Sequence, residues 1–346
     1  LACMTIIPLA EIVLRKLFHT GISGSTSLVQ HLTLVVGMLG AAIAARGNRL
    51  IALSTLTNFL KGKWKSSAIL FGSSFAAAIT LFLCIASFQF VLSEREAEKI
   101  LAYGIPVWTV QLLLPLGFAA IFIRLLLHVP EGWRGRFIAL LIVGGLAWAA
   151  MMPPLPPGRL VVPALSVLLL AAIFGAPIYA MMGGAALILF WGAGQPIASI
   201  SLDHYSMVTN PSLPTIPLFT LAGFFLAEGG ASKRLLRVFQ ALVGWMRGGP
   251  AIVTALVCAF FTSFTGASGV TILALGGVLM PVLMAARYSE RASLGLLTGA
   301  GSLGLLFPPC LPLILYAIIA KIPIEKIFLG GIIPGLLMVG MTAWWG

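Results

Sequence analysis

The chain has 346 residues, of which 60% are hydrophobic and only 9% charged, with a mean hydropathy of +1.08. A soluble domain carries about 25% charged and about 45–50% apolar residues, so a soluble enzyme, a nucleic-acid binder and a disordered chain are excluded. The net charge of +12, from 21 Lys and Arg against 9 Asp and Glu, sits in short clusters between apolar runs. That is the positive-inside pattern of a polytopic membrane protein, not a nucleic-acid-binding face.

The runs 68–92 and 101–127 are long, continuous and free of acidic residues. A spanning helix needs about 20 apolar residues, whereas barrel strands are about 10 long and alternate. The predicted fold class is therefore all-α, a polytopic helical membrane protein. In chain order the apolar segments fall at 1–18, 25–45, 66–92, 101–127, 136–152, 159–174, 176–194, 214–228, 250–286, 291–320 and 327–345. Arg46, Arg49, Lys61, Lys63 and Lys65 form the densest basic loop, expected in the cytoplasm. Glu94, Glu96 and Glu98 then lie outside, and Arg134 and Arg136 return the chain inside. The stretch 151–158 holds Pro153, Pro154, Pro156 and Pro157, too many prolines to continue a helix, and reads as a stiff module boundary. Cys3, Cys84, Cys258 and Cys310 stand singly in apolar segments and read as packing residues. Leu1 opens inside an apolar run and Trp344-Trp345-Gly346 has no polar tail, so the sequence is expected to be part of a longer protein.

Beyond residue 158 the texture changes, with Gly, Pro, Ser and Thr placed inside apolar segments. Residues 231–247 form an amphipathic helix. Leu235, Phe239, Leu242 and Met246 share one face, and Lys233, Arg237, Gln240 and Arg247 share the other, as in a helix lying at the membrane interface. The segment 250–286 is flanked by Arg247 and by Arg287 and Arg291. Both flanks should face the cytoplasm, so the segment reads as a re-entrant hairpin whose tip is Ser263-Phe264-Thr265-Gly266-Ala267-Ser268-Gly269. Two full spans with a tight external loop are the alternative. The segment 291–320 carries Gly299, Gly301, Gly304 and the pair Pro308-Pro309 at its centre. Glycine-mediated helix packing accounts for glycines but not for the prolines, and a discontinuous helix fits better.

Interrupted helices near the midplane point to the binding site of a secondary transporter. Half-helix N-termini offer unpaired N–H groups to a carboxylate, and unwound carbonyls with hydroxyls offer the hard oxygens that suit sodium. Ser263, Thr265, Ser268 and Thr271 bring hydroxyls to the hairpin tip; Thr298 and Ser302 bring them to the second break. Each hydroxyl alone reads as bonded to a helix carbonyl one turn back; their clustering favours a site. No Asp, Glu or His lies between Glu228 and Glu290, which favours sodium over proton coupling. His19, His31, His128 and His204 are scattered, and Asp203-His204 reads as part of a loop between Pro196 and Pro211. No phosphate-binding loop is present, so ATP hydrolysis is not expected, and nothing pairs a nucleophile with a base.

At these residues the sequence resembles a known family. The run from Phe261 to Pro281 and the run from Leu297 to Tyr316 resemble the large membrane subunit of the tripartite ATP-independent periplasmic (TRAP) transporters. Ile216 to Gly223 and Phe328 to Gly335 look like further signatures of that subunit. Residues 1–128, including Val36-Gly37-Met38-Leu39-Gly40, are similar to its small four-helix subunit. The resemblance implies fused small and large subunits, with 1–128 a four-helix scaffold and 129–158 a connecting helix and linker. It makes 159–346 the first part of a truncated large subunit, with an arm helix at 231–247, the hairpin at 250–286 and the broken helix at 291–320.

It further implies a multi-pass protein of the bacterial inner membrane. Such a carrier works by an elevator mechanism and imports organic acids, C4-dicarboxylates or sialic-acid-like carboxylates, with sodium. Its partners would be a periplasmic substrate-binding protein, the organic acid and the bilayer, with no nucleic acid, no ATPase subunit and no cofactor beyond the coupling ion. The candidate sodium residues are Ser263, Thr265, Gly266 and Ser268 at the tip and Thr298, Gly301, Ser302 and Pro308 at the break. Gly269, Thr271 and Pro309 are the candidate substrate residues. The family's hairpin often carries Ser-Gly-Ser where this chain has Thr265-Gly266-Ala267-Ser268. Competing readings are an elevator-type sodium/carboxylate symporter that needs no binding protein, a membrane-embedded enzyme and a structural scaffold. The lack of clustered acids and histidines disfavours the enzyme, and the two broken helices disfavour the scaffold.

Overall fold

The computed structural model describes residues 1–52, 59–130, 132–153, 156–246 and 248–346. These form helices with no β-strand among them: α1 (Ala2–Phe18), α2 (Ser25–Arg46), α3 (Lys63–Glu96), α4 (Val107–Gln111), α5 (Leu113–Leu127), α6 (Gly132–Met151), α7 (Pro157–Ile173), α8 (Ile178–Gly192), α9 (Ala198–Val208), α10 (Thr215–Glu228), α11 (Ala231–Val243), α12 (Gly249–Thr265), α13 (Ser268–Ala285), α14 (Glu290–Ala300), α15 (Leu311–Ala320) and α16 (Ile324–Trp345). A 3₁₀ turn at Leu303–Leu306 lies between α14 and α15. Seven helical stretches among the described residues are long and apolar enough to cross a membrane. Large apolar side chains such as Trp133, Phe137, Leu141 and Trp148 stand exposed on α6, a surface suited to lipid and not to water. The chain is an all-α polytopic membrane protein.

Most elements fall where hydropathy places them, and four do not. Helix α4 begins only at Val107 within the predicted 101–127, and α11 ends at Val243, short of the predicted 231–247, with Arg247 outside the described residues. Asp203 and His204 lie inside α9, not in a loop. Pro196 precedes that helix and Pro211 follows it; proline just outside a helix end bounds it without breaking it. Helix α3 outruns its predicted 66–92, reaching 34 residues or about 51 Å. In the proline-rich stretch, α6 ends at Met151 and α7 opens with Pro157 at its first position. Pro154 and Leu155 lie outside the described residues.

The helices form two compact units, one of residues 10–209 and one of residues 1–9 with 210–346. The first is built around α3, which packs against α5, α6, α8 and α9. Ala76, Ala77 and Ala78 are fully or almost fully buried, and three adjacent small residues point to different sides of a helix, so neighbours approach from several directions. Polar pairs cross this unit: His31 Nε2 to the Tyr205 hydroxyl at 2.6 Å, Thr80 to the Tyr179 hydroxyl at 2.8 Å and Ser87 to Ser201 at 3.1 Å. Arg95 also lies over the Trp108 ring, 5.6 Å from its centroid.

The second unit is built around α12, which packs against α10, α11, α13, α14, α16 and the 3₁₀ turn. Val253, Val257, Cys258 and Phe261 of α12 are fully buried, and Leu275, Leu279 and Leu283 bring the matching stripe from α13. That four-residue spacing keeps the three leucines on one helical face.

Candidate functional site

Helix α12 stops at Thr265 because Gly266 takes φ +65°, a left-handed conformation that glycine adopts without steric penalty. Ala267 is extended, and α13 begins at Ser268. The segment is thus two helices of 17 and 18 residues joined by a two-residue turn, the connection that both the re-entrant hairpin and the two-span alternative require. The predicted break in the next segment is also present: α14 ends at Ala300, the chain makes one 3₁₀ turn, and Pro308-Pro309, joined by a cis peptide, precedes α15.

The two interruptions meet. Thr262 Oγ1 donates to the Gly301 carbonyl at 2.9 Å and lies 3.0 Å from the Thr271 hydroxyl, while Thr265 and Thr271 approach at 2.9 Å. All three threonines are buried. The Gly301 carbonyl is open to Thr262 because the chain has left the α-helix. Leu305 N–H bonds to Ser302 O in the tighter 3₁₀ pattern instead of reaching Gly301. The close approach needs Gly304, where a Cβ would collide with backbone atoms of Ala259 and Ser263 and with Cβ of Thr262.

The other two signature runs brace this contact. A Cβ on Gly223 of α10 would stand 3.2 Å from backbone and side-chain atoms of Phe264 and Thr265. Gly331 of α16 lies against the Leu306 carbonyl, and Gly335 faces the Phe307 ring. At the turn, Gly266 packs on the Leu311 side chain, so the start of α13 and the start of α15 are neighbours. The N-terminus of α13, with unpaired N–H groups and a partial positive charge, therefore lies near the start of α15, where Pro312 has no N–H and the Leu313 N–H turns to Cys310. Gly269 and Pro308 beside them are exposed, and Pro309 is half-buried.

The remaining candidates behave differently. Ser263 bonds back to Phe260 O at 2.7 Å, Thr298 to Leu294 O at 2.8 Å and Ser302 to Gly299 O at 2.9 Å. These hydroxyls satisfy their own helix or turn. Thr298 is exposed, and Ser268 is half-buried at the start of α13. Sequence reasoning passed over Thr262, the residue that links hairpin to break. Its signal was available: Thr262 and Thr265 are three apart and share a helical face, whereas Ser263 points elsewhere. An apolar cavity of about 790 Å³ lies in the other unit, lined by Leu34, Met38, Leu83, Met182 and others, with Arg49, Tyr179, Ser201 and His204 its few polar neighbours. Its lining suits hydrocarbon better than a hydrophilic anion.

The fold and these interruptions define a polytopic membrane protein whose helices break around a buried cluster of neutral oxygens. Residues 165–345 match the DctM component of the tripartite ATP-independent periplasmic transporters, and residues 4–135 match the DctQ component. The chain belongs to this family, and it carries both components in one polypeptide. It is 34% identical over 167 residues to the C4-dicarboxylate TRAP transporter large permease protein DctM of Vibrio cholerae, covering 48% of this chain and 37% of that protein. It is 32% identical over 241 residues to the isethionate TRAP transporter permease protein DctMQ of Oleidesulfovibrio alaskensis, covering 68% and 38%. Over 174 residues it is 30% identical to the 2,3-diketo-L-gulonate TRAP transporter large permease protein YiaN of Escherichia coli, covering 49% and 41%. The chain spans well under half the length of these relatives.

Proposed function

We propose that this chain is the membrane permease part of a sodium-coupled importer of small organic acids, delivered by a periplasmic substrate-binding protein and carried across the bacterial inner membrane. The observation that carries the reading is the meeting of hairpin and break. Three buried threonine hydroxyls and a freed carbonyl converge without a titratable group, next to the N-terminus of α13. Hydroxyls and carbonyls together hold more lone pairs than protons, so a desolvated sodium ion is favoured there over an anion. The neighbouring N-terminus of α13 supplies the opposite preference and suits a carboxylate. An ion and a substrate anion bound side by side neutralise one another's charge, which is the physical basis of coupling.

Lengths support a site at depth. Helix α14 has 11 residues and α15 has 10, each about 15 Å long, half of a hydrocarbon core of about 30 Å. A break between two half-length helices fits a midplane position, and α12 and α13, at 17 and 18 residues, are long enough to carry their turn to that depth or beyond. The named relatives act on C4-dicarboxylates, isethionate and 2,3-diketo-L-gulonate, which favours a small organic anion here. The division into two compact units fits an elevator scheme in which one unit carries the site.

The test is uptake of a labelled organic-acid pool by proteoliposomes bearing the full-length protein, with and without an inward sodium gradient and candidate binding proteins. Uptake that requires both is expected. Sodium-driven uptake without a binding protein would overturn the tripartite part and leave a direct symporter. Thr271, a substrate candidate by sequence, joins the ion cluster through Thr262 and Thr265, and Thr298, a sodium candidate, bonds within its own helix. Within that assay Thr262→Val and Thr271→Val should therefore raise the half-saturating sodium concentration severalfold, and Thr298→Val should leave it unchanged. An unchanged sodium dependence in the first two would remove the threonine cluster from the ion site.

A further inference from the structure

Helix α11 is amphipathic in a way that packing within its own unit does not use up. Leu236 is buried and Leu235, Phe239 and Val243 pack against the core around α12. Leu242 and Val238 continue that apolar arc around the helix, yet they are 61% and 53% exposed, and Trp245 just beyond the last turn is 81% exposed. Leu242, on the apolar face read from the sequence, and Met246 beyond the helix end stand exposed because the body covers only the side carrying Leu236, Phe239 and Val243. Beyond the exposed apolar strip comes an arc of cations, Arg234, Arg237 and Lys233, all exposed. None of the three makes an ion pair among the described residues, and no acid follows until Glu290.

At 100° per residue, Val238 and Leu242 lie between the buried face and the cations. That order, core then exposed apolar then positive, matches a helix lying along a bilayer surface, its apolar strip in the acyl region and its cations among the headgroups. A helix facing water would leave Val238, Leu242 and Trp245 wet for no gain; a helix facing a neutral headgroup layer would leave three cations without counter-ions. We propose that α11 is a binding site for anionic phospholipid, with the headgroup phosphates held by Lys233, Arg234 and Arg237 and the acyl chains against Val238, Leu242 and Trp245. The basic residues that follow at Arg287 and Arg291 place this surface at the cytoplasmic leaflet. The inference goes beyond transport and stands whichever solute is carried.

The experiment uses the full-length protein, purified in detergent and exchanged into nanodiscs of phosphatidylcholine containing 20% phosphatidylglycerol. Retained lipid is read by native mass spectrometry. The wild type should keep phosphatidylglycerol in preference to phosphatidylcholine. The triple variant Lys233→Gln, Arg234→Gln, Arg237→Gln should lose about tenfold of that preference, since each cation near an anionic surface contributes independently. A triple variant in the basic loop, Lys61→Gln, Lys63→Gln, Lys65→Gln, should lose less. Equal preference in wild type and the α11 variant would overturn the proposal. Spin labels at Leu242→Cys and Gln240→Cys give a second reading that does not depend on the charge changes: oxygen should reach the first and a water-soluble nickel chelate the second. Water access at both positions would equally overturn it.

Discussion

Helices α3 and α12 are the central helices of their units, and they direct their hydroxyl protons in opposite ways. In α3, Ser74, Thr80 and Ser87 each donate to a carbonyl four residues back, at 2.7, 2.6 and 2.7 Å. The helix is continuous over 34 residues, so each of these three protons stays within its own turn, and Thr80 and Ser87 are left to accept from Tyr179 and Ser201 across the unit. In α12, Thr254 does the same with Pro250 O, but Thr262 and Thr265, in the last turn, bond to Thr271 and to the Gly301 carbonyl. In the unbroken helix the proton stays in its own turn and the partner across the unit must donate; beside the break Thr262 sends its own proton to a carbonyl 39 residues away in sequence. The same residue types accept across one unit and donate across the other.

The comparison can be pressed hardest at glycine. Gly304→Ala forces a Cβ into the backbone of α12, which cannot move aside, whereas Gly183→Ala meets only the Leu83 side chain, whose Cδ1 stands 2.9 Å from the added carbon. The first should destabilise by about 3 kcal/mol and the second by less than about 1 kcal/mol. Thermal unfolding in detergent, followed by alkylation of the fully buried Cys258 and Cys310 in the unit of Gly304 and of the half-buried Cys84 in the unit of Gly183, measures both. Equal losses would show that the broken unit is no more tightly constrained than the continuous one.

Thr262→Val comes next. It keeps the shape, removes the donor and leaves a buried carbonyl unpaired, an expected loss of about 1–3 kcal/mol. Tyr205→Phe in the other unit removes the 2.6 Å bond to His31 and should destabilise by about 0.5–1.5 kcal/mol in the same assay. The smallest effects are expected where a hydroxyl serves only its own helix. Ser74→Ala and Thr298→Val should each fall within about 0.5 kcal/mol of wild type. If Thr298→Val instead matched Thr262→Val, the distinction between local and bridging hydroxyls would fail.

Much of this was legible in the sequence because the signals are local. Proline and glycine act on the backbone where they stand, so Gly266 and Pro308-Pro309 announced their interruptions without any knowledge of neighbours. The candidate site was half legible. Thr265 and Thr271 sit in the cluster, while Ser263, Thr298 and Ser302 bond within their own turns, and Thr262 went unnoticed. A hydroxyl's partner is decided by which acceptor arrives nearest, and for Thr262 that acceptor comes from beyond α13.

By itself, then, the sequence determined the solvent this protein lives in, the rough extent of its apolar helices and the places where two of them break, since hydropathy and backbone freedom are properties of each residue and its immediate neighbours. Only the tertiary structure decided that the two breaks touch, that Gly304 permits it, that Asp203 and His204 are helical, and that Val238 and Leu242 of α11 remain uncovered. Each of those depends on which surfaces pack together, and packing is settled by shape across the whole unit.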